Sequence, residues 1–236
     1  MKKVISFSLY KAPDEWEKNM GTSFKKYVRG LEENIKFIDE FYHGWVVYIY
    51  YSEFIDDSVF DNISSKNEIK KIKMTDLDIN AMQWRFLPNN EEDVEYFIVR
   101  DIDSRPSKRE VTSVNEWIES GKRLHIMRDH PHHRYKILGG MWGMKAVKDF
   151  NMSDECKNYN RQNGYNSNKD WYDKWWDMNF LRDYIYPNYV NDSFINATYH
   201  KIESWSNDFT VERENGHFIG EIFDENNVRG EHFKLL

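Results

Sequence analysis

Short apolar runs alternate with amphipathic stretches along the first half of the chain. Val4 to Leu9 reads as a first strand, and Phe24, Tyr27, Val28, Leu31, Ile35 and Ile38 recur at helical spacing behind Thr22 or Ser23 as capping residue. Trp45 to Tyr51 is a continuous apolar and aromatic run, the pattern of a strand buried on both faces. A short helix is predicted over 56–63, a strand over 68–74, a helix over 76–86 and a strand over 94–99. Ser107 and Glu110 have the spacing of a capping box ahead of Val111, Val114, Trp117 and Ile118, so a helix follows at once, and then a strand over 123–127. This alternation predicts an α/β fold with a mostly parallel central sheet flanked by helices.

The second half is less regular. Residues 128–143 are turn-rich, and 151–170 are polar, asparagine-rich and without periodicity, which predicts a long exposed loop acting as a lid or insert. Helical spacing resumes over 171–185, and 192–233 reads as short strands and turns. No linker or repeat divides the chain, so a single domain over 1–236 is expected.

Composition narrows the classes. A formal charge of -7 and a pI near 5.7 argue against a general nucleic-acid binder. The single cysteine, Cys156, cannot form an internal disulfide, which fits a reducing compartment. The start of the chain is basic like a secretion signal, but its apolar stretch is short and broken by serines, so it reads as the first strand. No apolar run approaches the roughly 18 residues of a membrane span. Aromatic residues make up 17% of the chain, enough for stacking surfaces suited to sugar rings as well as for core filling.

The chemistry concentrates where the fourth strand ends. Arg100-Asp101-Ile102-Asp103-Ser104-Arg105 places two carboxylates just beyond a buried strand, where open α/β sheets bind ligands. Two acids one residue apart suit a divalent cation that also holds phosphate oxygens, and Arg100, Arg105 and the following helix N-terminus favour an anion there. Met127 to His133, with His125 upstream, is a second cluster, in which Asp129 and His130 are candidate ligands of a metal-dependent phosphoesterase. Gly139 and Gly140 permit close backbone approach to a ligand, with Trp142 as a stacking floor or a core residue. Asp177, at the start of an amphipathic segment, is a candidate base or a helix N-terminal charge.

Trp84-Arg-Phe-Leu-Pro88, Arg100 to Arg105, Arg109-Glu110, Glu116-Trp117, Met127 to Pro131, Ile137 to Gly143 and Asp177 to Leu181, in this order, resemble the GT-A class of nucleotide-sugar glycosyltransferases. More closely, the set is similar to small glycosyltransferase-like proteins of bacteria and large DNA viruses. The resemblance implies a single-domain GT-A fold with a nucleotide-binding half over 1–106 and an acceptor-side half over 107–236. It implies Mn²⁺ or Mg²⁺ on Asp103, with Asp101 holding the metal or the ribose, and His200 or His217 as a third ligand. Ser8, Leu9 and Tyr10 would line the nucleoside pocket and Arg85 would lie near the donor phosphates. Gly139, Gly140 and Trp142 would meet the donor sugar and acceptor, and Asp177 the acceptor. Met178 departs from the pattern, which has Gln there. The implied activity is transfer of a hexose or deoxyhexose from a nucleoside diphosphate sugar, a UDP-sugar foremost, to a glycan or glycoconjugate hydroxyl, with Asp177 or Asp129 as base. The expected place is the cytoplasm of a bacterium or of a virus-infected host, free or peripheral to a membrane. The rivals are the phosphoesterase and a non-catalytic carbohydrate-binding protein on a degenerate transferase fold.

Overall fold

The computed structural model describes residues 1–11, 23–231 and 234; Thr22 and Phe233 lie outside these. Among the described residues, seven strands form one sheet in the order β3-β2-β1-β4-β6-β5-β7. They are β1 (Lys2–Leu9), β2 (Val46–Ser52), β3 (Ile69–Met74), β4 (Val94–Arg100), β5 (Leu124–Arg128), β6 (Met141–Lys145) and β7 (Ser193–Ala197). All neighbours run parallel except β6, which is antiparallel to both β4 and β5. The sheet therefore takes strands from both halves of the chain, and residue 106 falls between β4 and its following helix.

Alternation along the strands divides the core. Ile5, Phe7, Val47, Ile49 and Ile98 face helices α1 (Phe24–Phe41) and α2 (Lys108–Ser120), packing on Leu31, Ile35, Ile38 and Trp117. Val4, Tyr48, Tyr50, Phe97 and Val99 face the other way, towards Trp84, Phe86, Met152, Cys156 and Phe180. Two buried faces explain why β2 shows no polar alternation at all. Ser23 caps α1 by accepting from the Lys25 N–H, and Ser107 caps α2 by accepting from Glu110 N–H.

Five expectations need correction. The first half of the 151–170 stretch is not an exposed loop: α3 (Met152–Gln162) is capped by Asn151 and buries Met152 and Cys156, one turn apart, against the sheet, while 163–170 form largely exposed turns. The turn-rich 128–143 region ends in β6, which covers the edge of β4. The Ser107–Glu110 box closes on one side only, because the Glu110 carboxylate accepts from Arg100 and Tyr42 instead of returning to the cap. The segment predicted helical over 76–86 is a 3-10 stretch, Ala81–Asn90. The 171–185 prediction begins late, at α4 (Trp176–Phe180), and continues through a π turn, Leu181–Ile185, into α5 (Tyr186–Tyr189). No helix among the described residues is long and apolar enough to cross a membrane.

Candidate functional site

A cleft of about 420 Å³ opens at the carboxyl ends of β1 and β4. Ser8, Leu9 and Tyr10 reach it from β1, Asp101 and Asp103 from the end of β4, Met82 and Arg85 from the 3-10 stretch, and Lys174, Trp175, Asp177 and Met178 from around α4. Tyr27 of α1 and Ile222 of the C-terminal segment close its sides. Leu9 buries its side chain in the core against α1. Ser8 Oγ accepts from the Arg85 N–H at 3.2 Å, fixing the 3-10 stretch to β1.

Arg85 organises the floor. Its Nη1 donates to Asp101 Oδ1 at 2.5 Å and to the Arg100 carbonyl at 3.1 Å, and its Nη2 donates to Asp177 Oδ2 at 2.9 Å. The two carboxylates differ sharply in setting: the Asp101 side chain is 42% exposed and that of Asp177 is 1% exposed. Burial raises the pKa of Asp177, with the neighbouring Asp101 charge adding to the rise and Arg85 opposing it. Trp175, with φ 81, sits in the left-handed region that a bulky residue rarely adopts, at the cap of the short helix carrying Asp177. Burial also pushes the Tyr10 hydroxyl well up, so it stays neutral, and its ring stands edge-on to Trp84 and Trp171 at 6.4 Å from each.

The two glycines lie against these acids because of strand register. Arg100 pairs with Met141 across β4 and β6, which sets the preceding Gly140 beside Asp101. A Cβ on Gly140 would overlap the Asp101 carboxylate, 2.7 Å from Oδ1 and closer still to Oδ2. A Cβ on Gly139 would lie 2.9 Å from Arg85 Nη2 and collide with Asp177 Oδ2. Met178, at the position where the resemblance has Gln, accepts the Gly139 N–H on its sulfur at 3.0 Å.

Asp103 meets Lys26 of α1, whose Nζ lies 2.7 Å from Oδ2. Asp101, Asp103 and Asp177 all line the cleft, but among the described residues no three His, Cys, Asp or Glu side chains converge on a metal position. An all-protein cage is therefore absent, but one or two carboxylates completed by substrate phosphates is how a hard cation such as Mg²⁺ is commonly held at nucleotide sites, and this donor set fits that mode.

Several predicted residues lie elsewhere. Arg100 shares the α1/α2 face with Ile98, since alternate residues of a strand point the same way, and its guanidinium is buried in an ion pair with Glu110 at 2.8 Å and a bond to the Trp142 carbonyl. Arg105 bonds Asn227, stacks on Phe223 and, with His217, lines a separate cavity of about 460 Å³. Trp142 is a core residue between Phe86 and Phe97, not a floor for sugar. His217 is engaged with Glu221 at 2.5 Å and His200 with the Pro131 carbonyl at 2.6 Å, so neither joins Asp101 and Asp103.

Asp129 is no base for this cleft. It is buried and accepts from Arg109, Arg213, Thr198 and the Ile219 N–H, and although burial opposes ionisation these donors hold its pKa below the usual carboxylate range. His130 is buried and stacked on Phe218 at 4.3 Å. The acids and histidine of the phosphoesterase alternative are thus divided between separate places. Lys26, Tyr27, Met82, Lys174 and Trp175, which do line or reach the cleft, carry no local motif that marks them in the sequence.

No family model and no curated protein matches the chain. Among solved structures, one described as a nucleotide-diphospho-sugar transferase from Desulfovibrio desulfuricans G20 is similar with a TM-score of 0.42 and 10% identity, covering 77% of this chain and 76% of that one. A cytidylyltransferase from Leptospira borgpetersenii serovar Hardjo-bovis is similar with a TM-score of 0.43 and 12% identity, covering 87% of this chain and 79% of that one. The seven-stranded, mostly parallel sheet flanked by helices is the architecture that the GT-A resemblance implied.

Proposed function

We propose that the chain is a glycosyltransferase that moves a hexose or deoxyhexose from a nucleoside diphosphate sugar, a UDP-sugar foremost, to a hydroxyl of a glycan or glycoconjugate. The observation that supports this reading is the meeting, in one cleft beyond β1 and β4, of an acidic pair, a guanidinium wedged between two carboxylates, and aromatic walls. Asp103 and Asp101 hold Mn²⁺ or Mg²⁺ in this reading, and the bound cation supplies a Lewis acid for the departing diphosphate.

The remaining work falls to the chain's own groups. Tyr10 and Tyr27, which line the cleft, supply aromatic surface for the nucleoside. Arg85, buried and fixed by two carboxylates, adds preorganised positive charge next to the forming diphosphate anion. The bond from the anomeric carbon to the diphosphate oxygen breaks as the bond to the acceptor oxygen forms. In an inverting transfer Asp177 takes the acceptor proton, since burial raises its basicity while Arg85 favours its ionised form.

The test is calorimetric titration of the whole protein with UDP-, GDP- and dTDP-sugars in Mn²⁺, Mg²⁺ or EDTA, with slow hydrolysis followed alongside. At least one sugar nucleotide binds in a metal-dependent way, and Asp103→Ala weakens it at least about tenfold, the loss of ~1.4 kcal/mol. A folded protein that binds none of them overturns the proposal.

A further inference from the structure

Among the described residues, the charges that line the cleft balance before any ligand enters. Asp101, Asp103 and Asp177 stand against Lys26, Arg85 and Lys174. Asp101 is already bonded by Arg85 at 2.5 Å and Asp103 by Lys26 at 2.7 Å, and the Lys26–Asp103 pair is well shielded, with side chains 17% and 15% exposed. A divalent cation arriving alone must displace Lys26 from Asp103, add net positive charge to this neutral set of side chains, and accept a shell in which, among the described residues, no three acidic or histidine side chains converge. A diphosphate arriving alone adds net negative charge to the same neutral site. A divalent cation and the doubly charged diphosphate of a sugar nucleotide together preserve neutrality, a cation with free UDP leaves less net charge than either partner alone, and in both cases the phosphate oxygens supply ligands that the protein lacks.

We propose that Lys26 is a built-in competitor of the divalent cation for Asp103, so that cation and nucleoside diphosphate enter as a pair while Lys26 transfers its charge from Asp103 to the incoming phosphates. The inference rests on the donor reading above and adds a residue that no motif marks. Because binding linkage is reciprocal, the cation tightens the nucleotide and the nucleotide tightens the cation by the same factor.

The experiment uses the whole folded protein, with Mn²⁺ affinity read by calorimetry and by the Mn²⁺ paramagnetic resonance signal, with and without UDP. The wild type binds Mn²⁺ weakly alone and at least about tenfold more tightly with UDP, a coupling of ~1.4 kcal/mol. Lys26→Met frees Asp103 and raises the affinity of nucleotide-free protein for Mn²⁺ about tenfold, while Lys26→Arg, which keeps the charge, leaves it low. Wild-type protein that holds Mn²⁺ equally well without UDP overturns the proposal, as does folded Lys26→Met protein whose nucleotide-free Mn²⁺ affinity is unchanged. The nucleotide-free arm needs no donor, so failure of every sugar nucleotide to bind removes the donor reading, whereas an unresponsive Lys26→Met removes this one.

Discussion

Replacing Arg85 by methionine tests the electrostatic floor of the cleft. The guanidinium is the cation bonded to Asp177, whose side chain is 1% exposed, and it also neutralises the more exposed Asp101. Asp101 can turn to water when the guanidinium is lost, but Asp177 cannot, and an uncompensated buried charge costs about 3–5 kcal/mol. For a chain of 236 residues that corresponds to a fall in melting temperature of roughly 6–10 °C. The pH dependence has a definite sign. The folded pKa of Asp177 is raised, chiefly by burial, so its contribution to stability is full below the unfolded carboxylate range and is lost as pH rises through the folded pKa. Removing Arg85 raises that folded pKa further and widens the window upward. Urea unfolding should therefore show a small deficit for Arg85→Met near pH 5 and the full one near pH 8. The double variant Arg85→Met/Asp177→Asn, which leaves no buried charge, should recover most of the loss at pH 8. Equal losses at both pH values, with no recovery in the double variant, would refute the reasoning.

Gly139→Ala should lower stability by about 1–3 kcal/mol in urea melts, since its Cβ meets the immobile Asp177 carboxylate, a case of overpacking. Gly140→Ala meets the exposed Asp101, which can swing aside, so calorimetry should show lost metal and nucleotide binding with a smaller change in melting; equal melting losses would count against the difference in burial. Asp129→Asn should cost roughly 3–5 kcal/mol at pH 7 by stranding Arg109 and Arg213, yet spare nucleotide affinity per folded molecule. Because the folded pKa of Asp129 is depressed, its stabilisation is present above the unfolded carboxylate pKa and lost as pH falls through the folded value, so acid unfolding of Asp129→Asn should be shallower than that of the wild type. Cys156 is buried on α3 with its thiol pKa pushed up by burial, so a thiol reagent should label it only at the rate of unfolding; fast native labelling would contradict the docking of that helix.

The alternation of strands and helices through 1–128 was legible, apart from the 3-10 stretch Ala81–Asn90, because most elements there have a clean period and a recognisable boundary, as with β2 and the Ser107 cap. The acidic pair at the end of β4 was legible for the same reason. Strand parity also separates Arg100 from Asp101, a consequence available from residue spacing that charge alone obscured. α3 was hidden by composition: Met152, Cys156 and Tyr159 have helical spacing, but asparagine and charge surround them. β6 was hidden because Met141 to Lys145 is short and preceded by turn residues, and only pairing with β4 and β5 makes it a strand.

By itself, then, the sequence determined the local periods and the place where two carboxylates leave a buried strand. Tertiary structure alone decided their partners. Arg85 reaches Asp177 across 92 positions and Arg109 reaches Asp129 across 20, while Lys26 of α1 meets Asp103 from another element entirely. Local spacing specifies how a side chain leaves its own element, but charge neutralisation in a buried site depends on which element is laid against it, and that information resides only in the packed fold.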